Sequence, residues 1–304
     1  MSVSSSDGAG RGVLYTVGAF VCWGLFPLYW KPLHSVPALQ ILCHRIVWSV
    51  LFVALVLSAL RQWGDLREAL RRPRQLGIFA LSSTVLSLNW LIYIWAVNAG
   101  HVVEASLGYF INPLVNVLLG RLFLGERLSR PQRLAVALAA AGVAWLTLSA
   151  GALPWIALSL AATFGLYGLL RKMAPLPSLP GLALETFLMS PLALAALLWF
   201  AWRGDGAFGH LGWQGDLLLV GAGVVTAVPL LMFAAGARRL KLATVGVIQY
   251  IGPSIQLALG VLLYGEPFGP DRALGFALIW AALLLYSAIG LRGLWRGRRS
   301  PASV

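Results

Sequence analysis

The chain has 304 residues, 59% of them hydrophobic and only 11% charged. Soluble globular domains carry about 25% charged residues, so the composition excludes an ordinary water-soluble fold. The net charge of +13 raises nucleic acid as a partner, and only the placement of the basic residues decides against it.

Apolar runs of about 20 residues, the length of a membrane-crossing helix, fill almost the whole chain. They predict helices over 13–32, 39–60, 75–97, 102–124, 131–149, 154–172, 181–202, 214–237, 243–265 and 270–291. The expected fold is an all-α integral membrane protein with ten transmembrane helices, in a first five-helix repeat over 13–149 and a second over 150–291. Residues 1–12 are polar and are expected to form a disordered cytoplasmic lead, and 292–304 a basic cytoplasmic tail. No small-residue cleavage site follows the first span, so it reads as a retained helix. Cys22 and Cys43 fall inside apolar spans without a CxxC pattern. They read as small buried hydrophobes.

The first span carries CWGLFPLYWK, where Pro27 removes a helix hydrogen bond and predicts a kink. The second contains His44 and Arg45. Arg45 lies roughly 10 Å inside its span at 1.5 Å per residue. A charge at the helix centre costs at least about 2.5 kcal/mol, and less nearer the edge. Arg45 therefore either snorkels outward or faces a cavity, paired with a carboxylate or a substrate. His44 is either a neutral hydrogen-bonding neighbour or a substrate contact. The segment RQWGDLREALRRPR over 61–74 reads as a basic, amphipathic surface stretch. The third span holds Asn89, Trp90, Tyr93 and Trp95. Trp95 suits an interface belt, whereas Trp90 and Tyr93 sit deeper and offer aromatic walls.

The fourth span organises the rest. Glu104, Gly108, Asn112, Asn116 and Gly120 recur every four residues and so share one helix face. Glu104 is the only acidic residue in the outer half of an apolar span, and a Glu104–Arg45 pair would lower both insertion costs. The pair is either a static tie or an outer gate and coupling pair. Asn112 and Asn116 are interhelical ties or cavity ligands, and the glycines equally suit a close helix crossing. Pro113 frees the carbonyl of Tyr109, as Pro253 frees that of Gln249, which marks two hinge points at similar depth. The fifth and tenth spans lack a buried charge and suit scaffold or a dimer surface. Glu185 lies near the start of the seventh span and reads as an interfacial carboxylate close to Arg171 or Lys172. Thr226 and Pro229 lie in the eighth, and Gln249, Tyr250 and Gln256 in the ninth.

The fourth span recurs as the ninth. HVVEASLGYFINPLVNVLLGRLFLGE (101–126) and KLATVGVIQYIGPSIQLALGVLLYGE (241–266) share seven of 26 positions, including Pro113/Pro253, Gly120/Gly260, Gly125/Gly265 and Glu126/Glu266. Repeats of this kind indicate duplicated halves. An odd number of helices per half inverts the second relative to the first, the arrangement of many secondary transporters. If the spans alternate, 19 of the 23 basic residues fall on one side, leaving Lys31, Arg203 and Arg272 opposite and Arg45 within. The positive-inside rule then places both termini in the cytoplasm, and the charge is a topology signal, not a nucleic-acid surface.

No phosphate-binding GxxxxGK[ST] loop, HExxH or clustered Cys/His set occurs, so neither a cofactor nor a metal is expected. The motifs CWGLFPLYWK (22–31), LCHRIVWS (42–49), NWLIYIWAVN (89–98), GHVVEASLGYFINPLVNVLLG (100–120) and QYIGPSIQ (249–256) resemble the RarD proteins, an EamA-type branch of the drug/metabolite transporter superfamily. The similarity covers nearly the whole chain, and the first-half motifs are the more diagnostic. The resemblance implies a ten-helix bacterial inner-membrane carrier, and superfamily relatives export amino acids, drugs and metabolites. The reading is a secondary transporter in which Asn112, Asn116, Gln249 and Gln256 orient substrate polar groups. Trp90, Tyr93, Tyr109 and Tyr250 form its walls, and Arg45, Glu104 and His44 gate or couple. A proton or ion is the coupling candidate, and the protein is a monomer or homodimer. The alternative is an intramembrane enzyme or lipid-handling protein using His44 and Glu104, and a third is a non-transporting receptor.

Overall fold

The computed structural model describes residues 4–123, 125, 128–173, 176–237, 239–240 and 242–297. Glu126, Arg127, Arg238, Lys241, Arg298 and Arg299 lie outside the described residues. The helices, in order, are α1 (Ser4–Gly24), α2 (Phe26–Trp30), α3 (Ala38–Ala59), α4 (Trp63–Leu70), α5 (Pro73–Asn98), α6 (Val102–Phe123) and α7 (Arg130–Ala150). They continue with α8 (Trp155–Met173), α9 (Ser178–Trp202), α10 (Gly212–Ala237), α11 (Leu242–Ile248), α12 (Ile251–Ala258) and α13 (Pro270–Gly297). Each predicted apolar span is helical over most of its described residues. Residues 4–12, expected as a disordered lead, instead extend α1 outward. Ser and Asp suit a helix start, so their polarity does not oppose helix formation there. Likewise α13 runs through the first residues of the expected tail to Gly297.

Seven helices among the described residues are long and apolar enough to cross a membrane: α3, α5, α6, α7, α9, α10 and α13. α1 and the helical segment Phe26–Leu33 that follows it, bent by 43° from each other, make an eighth if the pair crosses as one broken span. The bend falls at Leu25, two residues before Pro27, as the missing proline N–H dictates. α8 is a shorter apolar helix. The ninth predicted span is broken. Gln249 and Tyr250 form a turn between α11 and α12. Pro253 thus sits in the first turn of a new helix, where its missing donor costs nothing. Pro113 instead lies inside unbroken α6. The two equivalent prolines therefore have different local consequences.

Local signals set the boundaries. Ser129 caps α7 in a capping box with Gln132, and Gly151 closes it at φ 66°, a conformation glycine adopts without penalty. Large apolar side chains such as Leu55, Leu148, Leu192 and Trp202 remain exposed on the helix surfaces. A bilayer would cover them without loss.

The helices pack across the two halves. α8 lies against α5 and α6, and α10 lies against α1 and α3. α12 packs on α1, α9 on α3 and α5, and α7 on α13. Small residues allow the closest approaches. A Cβ on Gly24 of α1 would lie 2.7 Å from Ile255 Cβ of α12, and one on Gly165 of α8 would lie 3.0 Å from Val115 Cγ1 of α6. Gly24 and Gly165 are equivalent in the repeat, as are Ile255 and Val115, so the two halves make reciprocal contacts. α7 and α13, expected as scaffold, close on each other at Gly142 and Gly275. Gly125 and Gly265, paired in the repeat, both have left-handed backbones (φ 67° and 66°).

Candidate functional site

Arg45 sits at the junction of both halves. It is 3% exposed, and its Nε donates to Thr226 Oγ1 of α10 at 2.7 Å. The Thr226 hydroxyl proton is itself given to the Ala222 carbonyl, which leaves the oxygen free to accept. The Arg45 Cζ stands 3.8 Å from the Trp90 ring centroid, 5.4 Å from that of Trp30 and 5.8 Å from that of Phe26. Each such cation–π contact stabilises by about 2 kcal/mol or more when desolvated. Tyr93 and Tyr109 meet edge-to-face at 5.7 Å, and the Tyr93 hydroxyl is buried without a partner. The structure thus brings together Arg45, Trp90, Tyr93 and Tyr109, with Thr226, Trp30 and Phe26 added.

The expected Glu104–Arg45 ion pair is not formed. Glu104 Oε1 accepts the Ile156 backbone N–H at 3.1 Å, at the first turn of α8. Depth along the membrane suggested the pair. Direction decides otherwise: Arg45 projects toward α10 and α5, whereas Glu104 meets an orphan N–H of a helix start, an electrostatically favourable partner for a carboxylate.

The rest of the Glu104 stripe runs along the same α6–α8 seam. A Cβ on Gly108 would lie 2.7 Å from the Ala157 carbonyl, and Asn116 Oδ1 stands beside Gly165. Asn112 is buried, with Oδ1 unpartnered. The glycine crossing is therefore the geometry observed here. Gln256 mirrors this on the other seam. Its Nε2 donates to the Trp23 carbonyl at 3.0 Å, and its Oε1 is a buried acceptor without a partner. Tyr250 stacks on Phe110 at 6.4 Å. His44 faces Phe208, with ring centroids 5.6 Å apart. None of these contacts includes a residue of the Arg45 cluster. Asn89 ties α5 to α8 through the Leu160 carbonyl and Thr163.

Glu185 departs from its expected interfacial place. It is 2% exposed. Ser82 Oγ donates to its Oε1 at 2.7 Å and Tyr167 OH to its Oε2 at 3.3 Å, with Arg171 Nη1 3.9 Å from Oε1. The serines of SSTVLS were the available sign that this carboxylate has buried partners. Glu185 and Trp90 both line a narrow cavity of about 10 Å³, with Ile46, Ser83, Ser87 and Met189. That volume is at the lower limit for one water. Trp90 lies eight residues beyond Ser82 on α5, about 12 Å along the axis. Trp90 of the Arg45 cluster and the Glu185 carboxylate therefore meet across this one narrow cavity.

The two ends of the bundle differ. At the end holding Lys31 and Glu266, side chains tie elements together. Lys31 Nζ donates to the Val97 carbonyl at 3.1 Å. Gln40 bonds the Asp205 carbonyl (2.8 Å) and the Ala207 N–H (2.9 Å). Both Glu266 oxygens accept from the start of α6, at 2.6 Å from Val102 N and 2.8 Å from Val103 N. At the arginine-rich end a hollow of about 630 Å³ opens among Val56, Leu60, Gln62, Leu179, Leu231 and Arg239. Along α3, the buried Val53 lies between this hollow and the narrow cavity at Ile46.

The model of the EamA-like transporter family matches residues 10–148 and again 153–288. The uncharacterized transporter YojE of Bacillus subtilis is 52% identical, over 91% of this chain and 93% of that protein. Protein RarD of Streptomyces exfoliatus is 48% identical, over 94% and 91% respectively. Protein RarD of Escherichia coli K12 is 45% identical, over 91% and 93%. A crystal structure 20% identical in sequence has a TM-score of 0.60, covering 94% of this chain and 98% of that one, which speaks for the fold alone.

Proposed function

Since the chain belongs to the EamA-like transporter family and to its RarD branch, we propose that this multi-pass bacterial membrane transporter exports a small amphipathic organic metabolite, amino acid or drug by alternating access. The observation that carries this reading is the Arg45 cluster. Helices of the first half (α3, α5 and α6) and α10 of the second meet there, so any rocking of one half against the other remakes the site. Ten spans in two inverted repeats, with both termini cytoplasmic in the inner membrane, remain part of the proposal. The reciprocal Gly24–Ile255 and Gly165–Val115 approaches support it.

In this reading Arg45, Trp90, Tyr93 and Tyr109 hold the substrate. The buried acceptors of Asn112 and Gln256 bond its donors as the seams part, with Asn116, Gln249 and Tyr250 behind them and Pro113 and Pro253 near the bending points. The conformation is closed at the Glu266 end, which the basic-residue distribution assigns outward, and hollow at the cytoplasmic end. Coupling by a proton or ion would use a carboxylate. Glu104 and Glu185 are the candidates, with His44 adjoining. The protein works as a monomer or homodimer.

The test is directional labelling of Ser87→Cys, a near-isosteric change in the narrow cavity, in a protein lacking Cys22 and Cys43. An impermeant thiol reagent is applied to right-side-out and to inverted vesicles. Alternating access predicts labelling from both faces, and saturating substrate should slow it from at least one. A thiol that stays dark from both faces makes the cavity a static packing defect and removes the mechanism.

A further inference from the structure

Arg45 is a buried cation with no carboxylate partner among the described residues. The ion pairs of the described residues join Arg72 to Glu68, Arg171 to Glu185 and Arg203 to Asp205. Of the five remaining described acids, Glu104 and Glu266 accept from helix-start N–H groups, Asp216 Oδ1 accepts from the Gly209 N–H, and Asp65 and Asp271 lie in the first turns of α4 and α13. The only hydrogen bond Arg45 makes among the described residues is the one from Nε to the neutral Thr226 hydroxyl.

The aromatic contacts do not replace a counterion. An aromatic ring attracts the cation through its π-face and offers no oxygen acceptor to the N–H groups. The N–H donors of the guanidinium point outward within its plane, as a fork that matches the two oxygens of a carboxylate. Only Nε has an acceptor among the described residues, so a carboxylate reaching Nη1 and Nη2 would compensate the buried charge. A protein with eight described acidic side chains places none of them here, and surrounds the guanidinium with flat apolar walls.

We infer that the transported molecule is an organic anion, whose carboxylate engages the Arg45 fork and whose apolar or aromatic body rests against Trp90, Tyr93 and Tyr109. This rests on the transporter reading and narrows it to a substrate class. The bound anion completes the charge balance of the site, so the loaded site is neutral. A positively charged head would meet Arg45 as a like charge, and a neutral amide would forgo the charge-assisted part of the bond.

Equilibrium binding to the purified protein tests this without requiring flux. Three heads are compared on each of two bodies: phenylacetate with phenylacetamide and phenethylamine, and indole-3-acetate with indole-3-acetamide and tryptamine. The wild type should prefer the carboxylate by about 10- to 100-fold, the range of a charge-assisted hydrogen bond. Arg45→Met should abolish the preference, and Arg45→Lys should retain part of it, because the point charge survives while the bidentate fork is lost. A wild type that does not prefer the carboxylate overturns the inference, and that arm needs no variant to fold. A preference that survives Arg45→Met also overturns it. Failure here leaves alternating access intact, since the Ser87→Cys labelling does not depend on head-group chemistry.

Discussion

Removing the charge of Glu266 should open the closed end of the bundle. Its two oxygens hold the N–H groups of Val102 and Val103 at 2.6 and 2.8 Å, joining the end of the α12 segment to the start of α6. In Glu266→Gln one amide oxygen still accepts, but the amide NH₂ faces the other N–H. A charge-assisted bond contributes about 1.5–3 kcal/mol, and a carboxylate at a helix N-terminus a further 0.3–1 kcal/mol or so. Glu266 is half-buried, so solvent screening reduces the sum, to roughly 1–3 kcal/mol. If the contact exists only in the closed arrangement, that energy shifts the equilibrium by about 5- to 150-fold. The reporter is Ala96→Cys, a fully buried position near the end of α5, in a protein lacking Cys22 and Cys43. Its labelling by an impermeant maleimide from the Glu266 face should accelerate by that factor in Glu266→Gln, and at least as much in Glu266→Ala. Glu68→Gln, which removes an exposed i,i+4 pair with Arg72, should leave the rate unchanged. An unchanged rate in both Glu266 variants, with thermal stability lowered, would refute the reasoning and make Glu266 a general structural tie.

Two further changes probe the packing. Gly108→Val should destabilise by about 1–3 kcal/mol or more, because its Cβ would meet the Ala157 backbone carbonyl at 2.7 Å. Gly77→Ala, with no neighbour within 4 Å, should be neutral or stabilising by up to about 1 kcal/mol; thermal unfolding in detergent measures both. Glu185→Leu should cost about 3–5 kcal/mol by stranding Arg171, together with Ser82 and Tyr167. Adding Arg171→Met should recover much of the loss, and a double variant no more stable than Glu185→Leu would show that the 3.9 Å contact carries little energy.

Much of the helical plan is legible in the sequence because apolar length is a one-dimensional property. The fourth span, predicted as 102–124, is helical over Val102–Phe123. The Pro27 bend is local chemistry and equally readable. The aromatic density of NWLIYIW marks Trp90 and Tyr93 for the same reason. What the sequence does not display is azimuth. Arg45 and Glu104 lie at similar depth, yet they project toward different neighbours. The partner Glu104 takes is a backbone N–H, which no side-chain pattern announces. The partners of Glu185 come from α5 and α8, so its burial depends on tertiary packing. Thr226 gained its role only when α10 was placed against α3.

A lone cation fixed at the depth of Arg45 also has an electrical consequence. If the two halves rock as proposed, the water boundary would pass from one side of that residue to the other, and most of the membrane potential would drop across the new barrier. Reorienting the empty carrier then moves up to one elementary charge through the field, about 2.3 kcal/mol per 100 mV. A carrier holding a monoanion moves none. Voltage would therefore act on the return of the empty protein and leave the loaded crossing almost untouched, so the potential would set how often the carrier resets rather than how hard it pulls its cargo.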